Sequence, residues 1–151
     1  MWDNNDHNRT LSNHGINTVK KMGLYLAEKG SPDLVISSTA TRANTTANLA
    51  VDSGQWSCPI ILERGIYGGS PSFLLDLVKG QNDNIKSICL VGHEPNFSDF
   101  IAQSISSNYI YFPTSSMAKI NFDVKYWSDV GFDIGKLDWL INPKEIKEKI
   151  D

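Results

Sequence analysis

Apolar and polar positions along the chain fall into segments of helical or alternating period, and each change marks an element. The opening stretch, Met1 to Thr10, is polar and has no strand pattern, yet it carries Trp2, His7 and Arg9. It reads as a loop that the fold holds in place. Ile16, Val19, Met22 and Leu26 then recur at helical spacing behind a Ser12 or Asn13 cap, and the run stops at Gly30 before Ser31-Pro32. This predicts an amphipathic helix of about four turns. Leu34-Val35-Ile36 predicts a short buried strand ending in Ser37-Ser38-Thr39, followed from near Ala40 by a helix carrying Ala43, Ala47, Leu49 and Ala50. The unit recurs. Ile60-Ile61-Leu62 is a further apolar run, Phe73 to Val78 a helix after Ser70-Pro71-Ser72, and Ser87 to Val91 a buried strand before a helix with Phe97, Phe100, Ile101 and Ile105. Ala118 to Val124 alternates as a half-exposed strand does, Phe132 to Ile141 reads as a strand near the sheet edge, and Asn142 to Asp151 is charged and weakly helical. Alternating strands and helices specify an α/β three-layer sandwich, a mostly parallel sheet with helices on both faces. Ligands in such sheets collect at the carboxyl ends of the strands.

A length of 151 residues suits one domain, 1–151, with its own core. Hydrophobic content of 40% and charged content of 21% exclude a disordered or fibrous chain. The formal charge of -3 argues against non-specific binding to nucleic acid or a membrane surface, but leaves room for a local basic pocket. No stretch approaches the roughly 20 apolar residues of a membrane span, and Met1-Trp2-Asp3-Asn4-Asn5-Asp6 is unlike a signal peptide. Cys58, beside Pro59, reads as a loop residue and Cys89 as a buried core residue, so no disulfide is expected; this suits the cytoplasm.

Three polar clusters fall at the functional edge: the opening loop with Arg9, the turn Ser37-Ser38-Thr39-Ala40-Thr41-Arg42, and Gly92-His93 at the end of an apolar strand. Arginine presents a planar fork of donors that matches phosphate bidentately and stays charged at every working pH. Arg42 would also sit where the amides and dipole of a helix N-terminus favour anions. The bland alternatives are a histidine that satisfies a loop carbonyl and arginines that reach to solvent or pair with surface carboxylates.

Taken in order, the residues resemble a known family. Asp6-His7-Asn8-Arg9-Thr10-Leu11 with Gly15, then Val35-Ile36-Ser37-Ser38-Thr39-Ala40-Thr41-Arg42-Ala43 with Thr46-Ala47, then Leu90-Val91-Gly92-His93-Glu94-Pro95, are similar to the histidine phosphatase superfamily, in particular its small SixA-type phosphohistidine phosphatases. Pro113-Thr114, Trp127 and Leu140-Ile141-Asn142-Pro143 extend the likeness to the end of the chain. The resemblance implies a phosphoglycerate mutase-like fold and a phosphatase that forms a phosphohistidine intermediate without metal or cofactor. Its substrate would be a phosphorylated protein or a small phosphoester. Arg9 and Arg42 match the family's phosphate-binding arginines and His93 its second active-site histidine, so these three are the expected catalytic and substrate-binding residues.

The family's Arg-His-Gly or Arg-His-Ala triplet, which supplies the nucleophile at the end of the first strand, has no counterpart here. His14-Gly15 follows Asn13 and opens a predicted helix, and His7 has no strand to place it. Thr10 stands where the family has proline. The missing strand is an interior one, and leaving its neighbours' buried backbone groups unpaired costs roughly 1 to 3 kcal/mol each. The expectation is therefore an N-terminally truncated domain, with Met1 internal to a longer protein whose upstream residues include an apolar strand ending in Arg-His. Two other readings stay open: a phosphate or phosphoprotein-binding module without turnover, and a purely structural domain. Glu63 and Tyr67 read as scaffold or rim residues, with an acid role for Glu63 less favoured; whether Glu94 orients His93 is open.

Overall fold

The computed structural model describes residues 4–146; Trp2 of the opening segment and the end of the charged tail, residues 147–151, lie outside the described residues. The opening segment is not wholly loop. A short helix, α1 (Asn4–His7), precedes the turn that carries Arg9. Helix α2 (Asn13–Lys29) begins where the sequence predicts, because the Ser12 hydroxyl accepts from the Gly15 amide at 3.0 Å and satisfies one of the free donors of the first turn. It ends at Gly30, whose φ of 120° suits glycine and whose amide closes on the Leu26 carbonyl.

Strand β1 (Leu34–Ser37), helix α3 (Thr41–Gly54), strand β2 (Ile60–Leu62), helix α4 (Pro71–Lys79), strand β3 (Ile88–Val91) and helix α5 (Asn96–Ser104) follow in turn. The three strands are parallel in the order β2-β1-β3, with Val35 level with Ile60 and Cys89. Side chains alternate across β1, which creates the layers. Val35 faces a cluster with Val19, Ala47 and Ala50 of α2 and α3, whereas Leu34 and Ile36 face Leu74 and Phe100 of α4 and α5. Glycine makes one layer compact: a Cβ on Gly23 of α2 would stand 2.6 Å from the Ala50 carbonyl oxygen of α3. The Gly23 carbonyl in turn accepts from Trp56 Nε1 at 3.1 Å.

Strands β4 (Met117–Phe122) and β5 (Gly135–Ile141) pair antiparallel as a separate ribbon, with an irregularity between Lys119 and Ile120. A cleft of about 1210 Å³ runs between β3 and β4, with Cys89, Val91, Ala118 and Ile120 among its walls. Among the described residues each of these strands is paired on one edge only. This corrects the expectation of a buried strand at Ser87 to Val91. All four residues of β3 are only half-buried, unlike β1, because one side of β3 borders the cleft. Cys89 is likewise half-buried rather than core, as is Cys58. The charged tail begins with a single 3-10 turn, Pro143–Glu145, capped by Asn142. No described helix is long and apolar enough to cross a membrane.

Candidate functional site

β1 and β3 run parallel, so Ser38 and His93, just past their carboxyl ends, emerge side by side. The Ser38 amide donates to the Val91 carbonyl at 2.9 Å, extending the ladder by one bond. Gly92 is required by close approach: a Cβ there would lie 2.5 Å from the Phe97 ring and 2.7 Å from Ile66. His93 then turns toward β1, and its Nε2 lies 2.8 Å from the Ser38 hydroxyl oxygen, which also accepts from the Ala40 amide at 3.1 Å. Ser38 is fully buried.

Arg42 stands in the first turn of α3, whose N-cap Ala40 offers no side-chain acceptor. Its Nη2 lies 3.3 Å from His93 Nδ1, and its Nη1 donates to the Asp6 carbonyl at 2.9 Å. A guanidinium only donates, so Nδ1 of His93 must accept and the ring proton belongs on Nε2, directed at Ser38. Burial, and after it the Arg42 charge, push the His93 imidazole down from 6.5 to about 4, with the Asp6 carboxylate opposing. The ring is thus neutral, with both nitrogens engaged.

Two residues that sequence reasoning left at the margin complete the site. Asp6, from α1, stands with its Oδ2 3.6 Å from Arg42 Nη2 and its Oδ1 3.8 Å from Arg9 Nη2. Tyr67 donates its hydroxyl to Asp6 Oδ2 at 2.6 Å, and its ring meets His93 edge-on at a centroid distance of 5.2 Å and His7 at 5.0 Å. The Tyr67 hydrogen bond is the main reason the Asp6 carboxyl lies below its ordinary value; the same bond raises the Tyr67 phenol. His7, unplaced by sequence, ties α1 to the β1 turn, its Nε2 3.1 Å from the Thr39 hydroxyl.

The structure therefore brings Arg42 and His93 into contact, while Arg9 stays 65% exposed at the mouth of the same cleft. Glu63 engages the Gly65 amide at 3.0 Å and caps the 3-10 turn Arg64–Ile66 that delivers Tyr67, a scaffold role. Glu94 accepts from the Ser98 amide at 2.7 Å in the first turn of α5, so its carboxylate serves the helix start and does not orient His93. His14 is exposed at the start of α2. Among the described residues no three His, Cys, Asp or Glu side chains gather as a metal site. The ensemble joins two arginines, a neutral imidazole and a helix N-terminus at strand ends, groups of the kind that bind tetrahedral oxyanions.

Known proteins agree with this architecture. The uncharacterized proteins Rv1276c and MT1313 of Mycobacterium tuberculosis are each 31% identical to the chain, over 83% of both sequences. No family model matches. Among solved structures, a protein assigned as the phosphohistidine phosphatase SixA of Nakamurella multipartitia superposes with a TM-score of 0.83 over 95% of this chain and 90% of its own, at 19% identity. The protein histidine phosphatase SixA complexed with tungstate gives a TM-score of 0.82 over 97% of this chain and 92% of its own, at 18% identity. The chain thus belongs to one family with the mycobacterial protein Rv1276c, and its fold is that of the SixA phosphohistidine phosphatases.

Proposed function

We propose that this domain is a phosphatase of the histidine phosphatase type, which holds a phosphoryl group between Arg9, Arg42 and His93 and hydrolyses it from a phosphorylated protein or a small phosphoester. The observation that carries the reading is the contact between Arg42 and His93 at the ends of β1 and β3. A phosphoryl group there meets charge-assisted donors from Arg42 and a helix N-terminus, which stabilise negative charge on its oxygens as the bond to the leaving group breaks. Tungstate is a tetrahedral oxyanion, and its presence in a SixA structure of the same fold supports an oxyanion site. With both nitrogens engaged, His93 is a poor nucleophile and suits the partner role. An attacking histidine on a strand upstream of Met1, if one is present, would lie in the cleft between β3 and β4. Its nitrogen would bond to phosphorus as the leaving group departs with a proton; water would then cleave the phosphohistidine to release phosphate. The edges of β3 and β4 left unpaired among the described residues, and the Ser116 hydroxyl oxygen, buried with no hydrogen-bond partner among those residues where residue 116 lines that cleft, support this position. The two free thiols suit work in the cytoplasm.

The engagement of both His93 nitrogens also favours a second reading for residues 1–151 on their own, a module that binds phosphate or a phosphoprotein without turnover. Para-nitrophenyl phosphate separates the two. The chain extended by its in-frame upstream codons is expected to hydrolyse it and to lose turnover on Arg42→Ala. A stop codon directly before Met1, with tungstate binding but no hydrolysis, would leave the binding module.

A further inference from the structure

Asp6 and Tyr67 are 61 residues apart in the chain, and their 2.6 Å bond is shorter than the His93 bond to Ser38 or the Arg42 bond to the Asp6 carbonyl. The remaining contacts of the carboxylate are long. At 3.6 Å from Arg42 and 3.8 Å from Arg9 it lies beyond hydrogen-bond length of both guanidiniums. A carboxylate beside two arginines would ordinarily close on one of them as a forked pair at roughly 2.7–2.9 Å. Here Oδ2, the oxygen nearest Arg42, is held by the phenol. The phenol has little freedom of its own, since its ring is wedged edge-on against His7 and His93 and follows the turn capped by Glu63. Arg42 Nη2 is left to reach His93.

We infer that Tyr67 is a positioning residue of the oxyanion pocket: its hydroxyl holds Asp6 Oδ2 beyond hydrogen-bond reach of Arg42, and so leaves the guanidinium donors that Asp6 would otherwise take available to a phosphoryl group. The inference rests on the phosphate-pocket reading above. Without the hydroxyl, Asp6 is an internal anion tethered beside the same donors, and a tethered competitor acts at an effective concentration in the millimolar range. The charge states suit the role. The hydrogen bond favours an ionised Asp6 and a neutral Tyr67, so the clamp persists through neutral pH.

The test uses the full chain, with inorganic phosphate and tungstate as titrants in calorimetry. Tyr67→Phe keeps the ring and removes only the hydroxyl; the expected result is a roughly tenfold weaker apparent Kd, as set by a tethered competitor. Adding Asp6→Asn to Tyr67→Phe removes the competitor and is expected to recover the lost affinity, which a merely structural role for Tyr67 would not allow. Unchanged affinity in Tyr67→Phe, or no recovery in the double variant, overturns the inference while leaving the pocket intact. Failure of the unsubstituted chain to bind either oxyanion removes the pocket reading and this inference with it.

Discussion

His93 Nδ1 stands 3.3 Å from Arg42 Nη2, and because the guanidinium has only protons to give, the contact is compatible with the neutral imidazole alone. The pairing places a cation against a titratable ring and lets each report on the other.

The first consequence is a pH dependence of stability. In the unfolded chain His93 takes up a proton near 6.5, whereas in the folded chain burial and Arg42 delay protonation to about 4. Between those values the folded state binds fewer protons, so this contribution is complete above pH 6.5 and is lost as pH falls toward 4. A shift of this size has a ceiling of about 3 kcal/mol. With the ring half-exposed, solvent screening reduces the expected effect to about 1–2 kcal/mol. Urea unfolding at pH 7 and near the lower limit, for the chain and for His93→Gln, measures it. An equal loss in both proteins would sink the assignment.

Arg42 is expected to matter to the ligand and to the ring at once. Arg42→Ala removes charge-assisted donors from the pocket and should weaken tungstate or phosphate binding by about 3 kcal/mol, roughly a hundredfold. Arg42→Lys restores the charge without the fork, so it should recover only part of that loss. Since Arg42 is the second cause depressing the His93 imidazole, both its removal and bound oxyanion should move the ring's titration upward. Proton NMR of the His93 ring reads this directly. An unmoved titration in Arg42→Ala would contradict the contact.

The residues legible in the sequence are those placed by local rules. Ser12 and Gly30 bound α2, Ser70 caps α4 through the Phe73 amide, and Arg42 falls in the first turn of α3 because strand, turn and helix are contiguous. Two errors have one cause: an apolar run shows that a strand lies in a sheet but not what flanks it, so β3 and Cys89 read as interior although they border a cleft. Asp6 and Tyr67 carry no periodic signal, and their bond closes over 61 residues. The turn capped by Glu63 brings them together, and its Glu-x-Gly spacing reads equally well as any loop.

Gly23 supplies a test of packing against propensity. In an exposed helix Gly→Ala stabilises by about 1 kcal/mol. At Gly23 the new methyl would stand 2.6 Å from a backbone carbonyl of α3 and 2.8 Å from the Ala50 Cα, atoms that can yield only if the two helices part. Gly23→Ala is therefore expected to reverse the sign and destabilise by about 1–3 kcal/mol. It should also disturb Trp56, whose indole bonds to the Gly23 carbonyl, so tryptophan fluorescence and urea midpoints together follow it. A gain in stability would show that α2 and α3 are less closely packed than described.

Ser116 tests the cleft itself. Its hydroxyl oxygen is buried with no hydrogen-bond partner among the described residues where residue 116 lines the space between β3 and β4, and an unsatisfied buried hydroxyl costs about 1–3 kcal/mol. Removing it from residues 1–151 discards that penalty, so Ser116→Ala is expected to be neutral or to raise stability by up to about 1 kcal/mol. If a strand encoded upstream fills the cleft, its backbone can satisfy the hydroxyl, and the same substitution in the extended chain should instead destabilise by about 1 kcal/mol. Thermal melts of the two chain lengths, each with and without Ser116→Ala, give the comparison. The informative quantity is the change of sign, because residues 1–151 are otherwise the same in both chain lengths. Equal effects in both lengths would mean that the upstream residues do not reach Ser116, and the attacking histidine would have to be sought elsewhere.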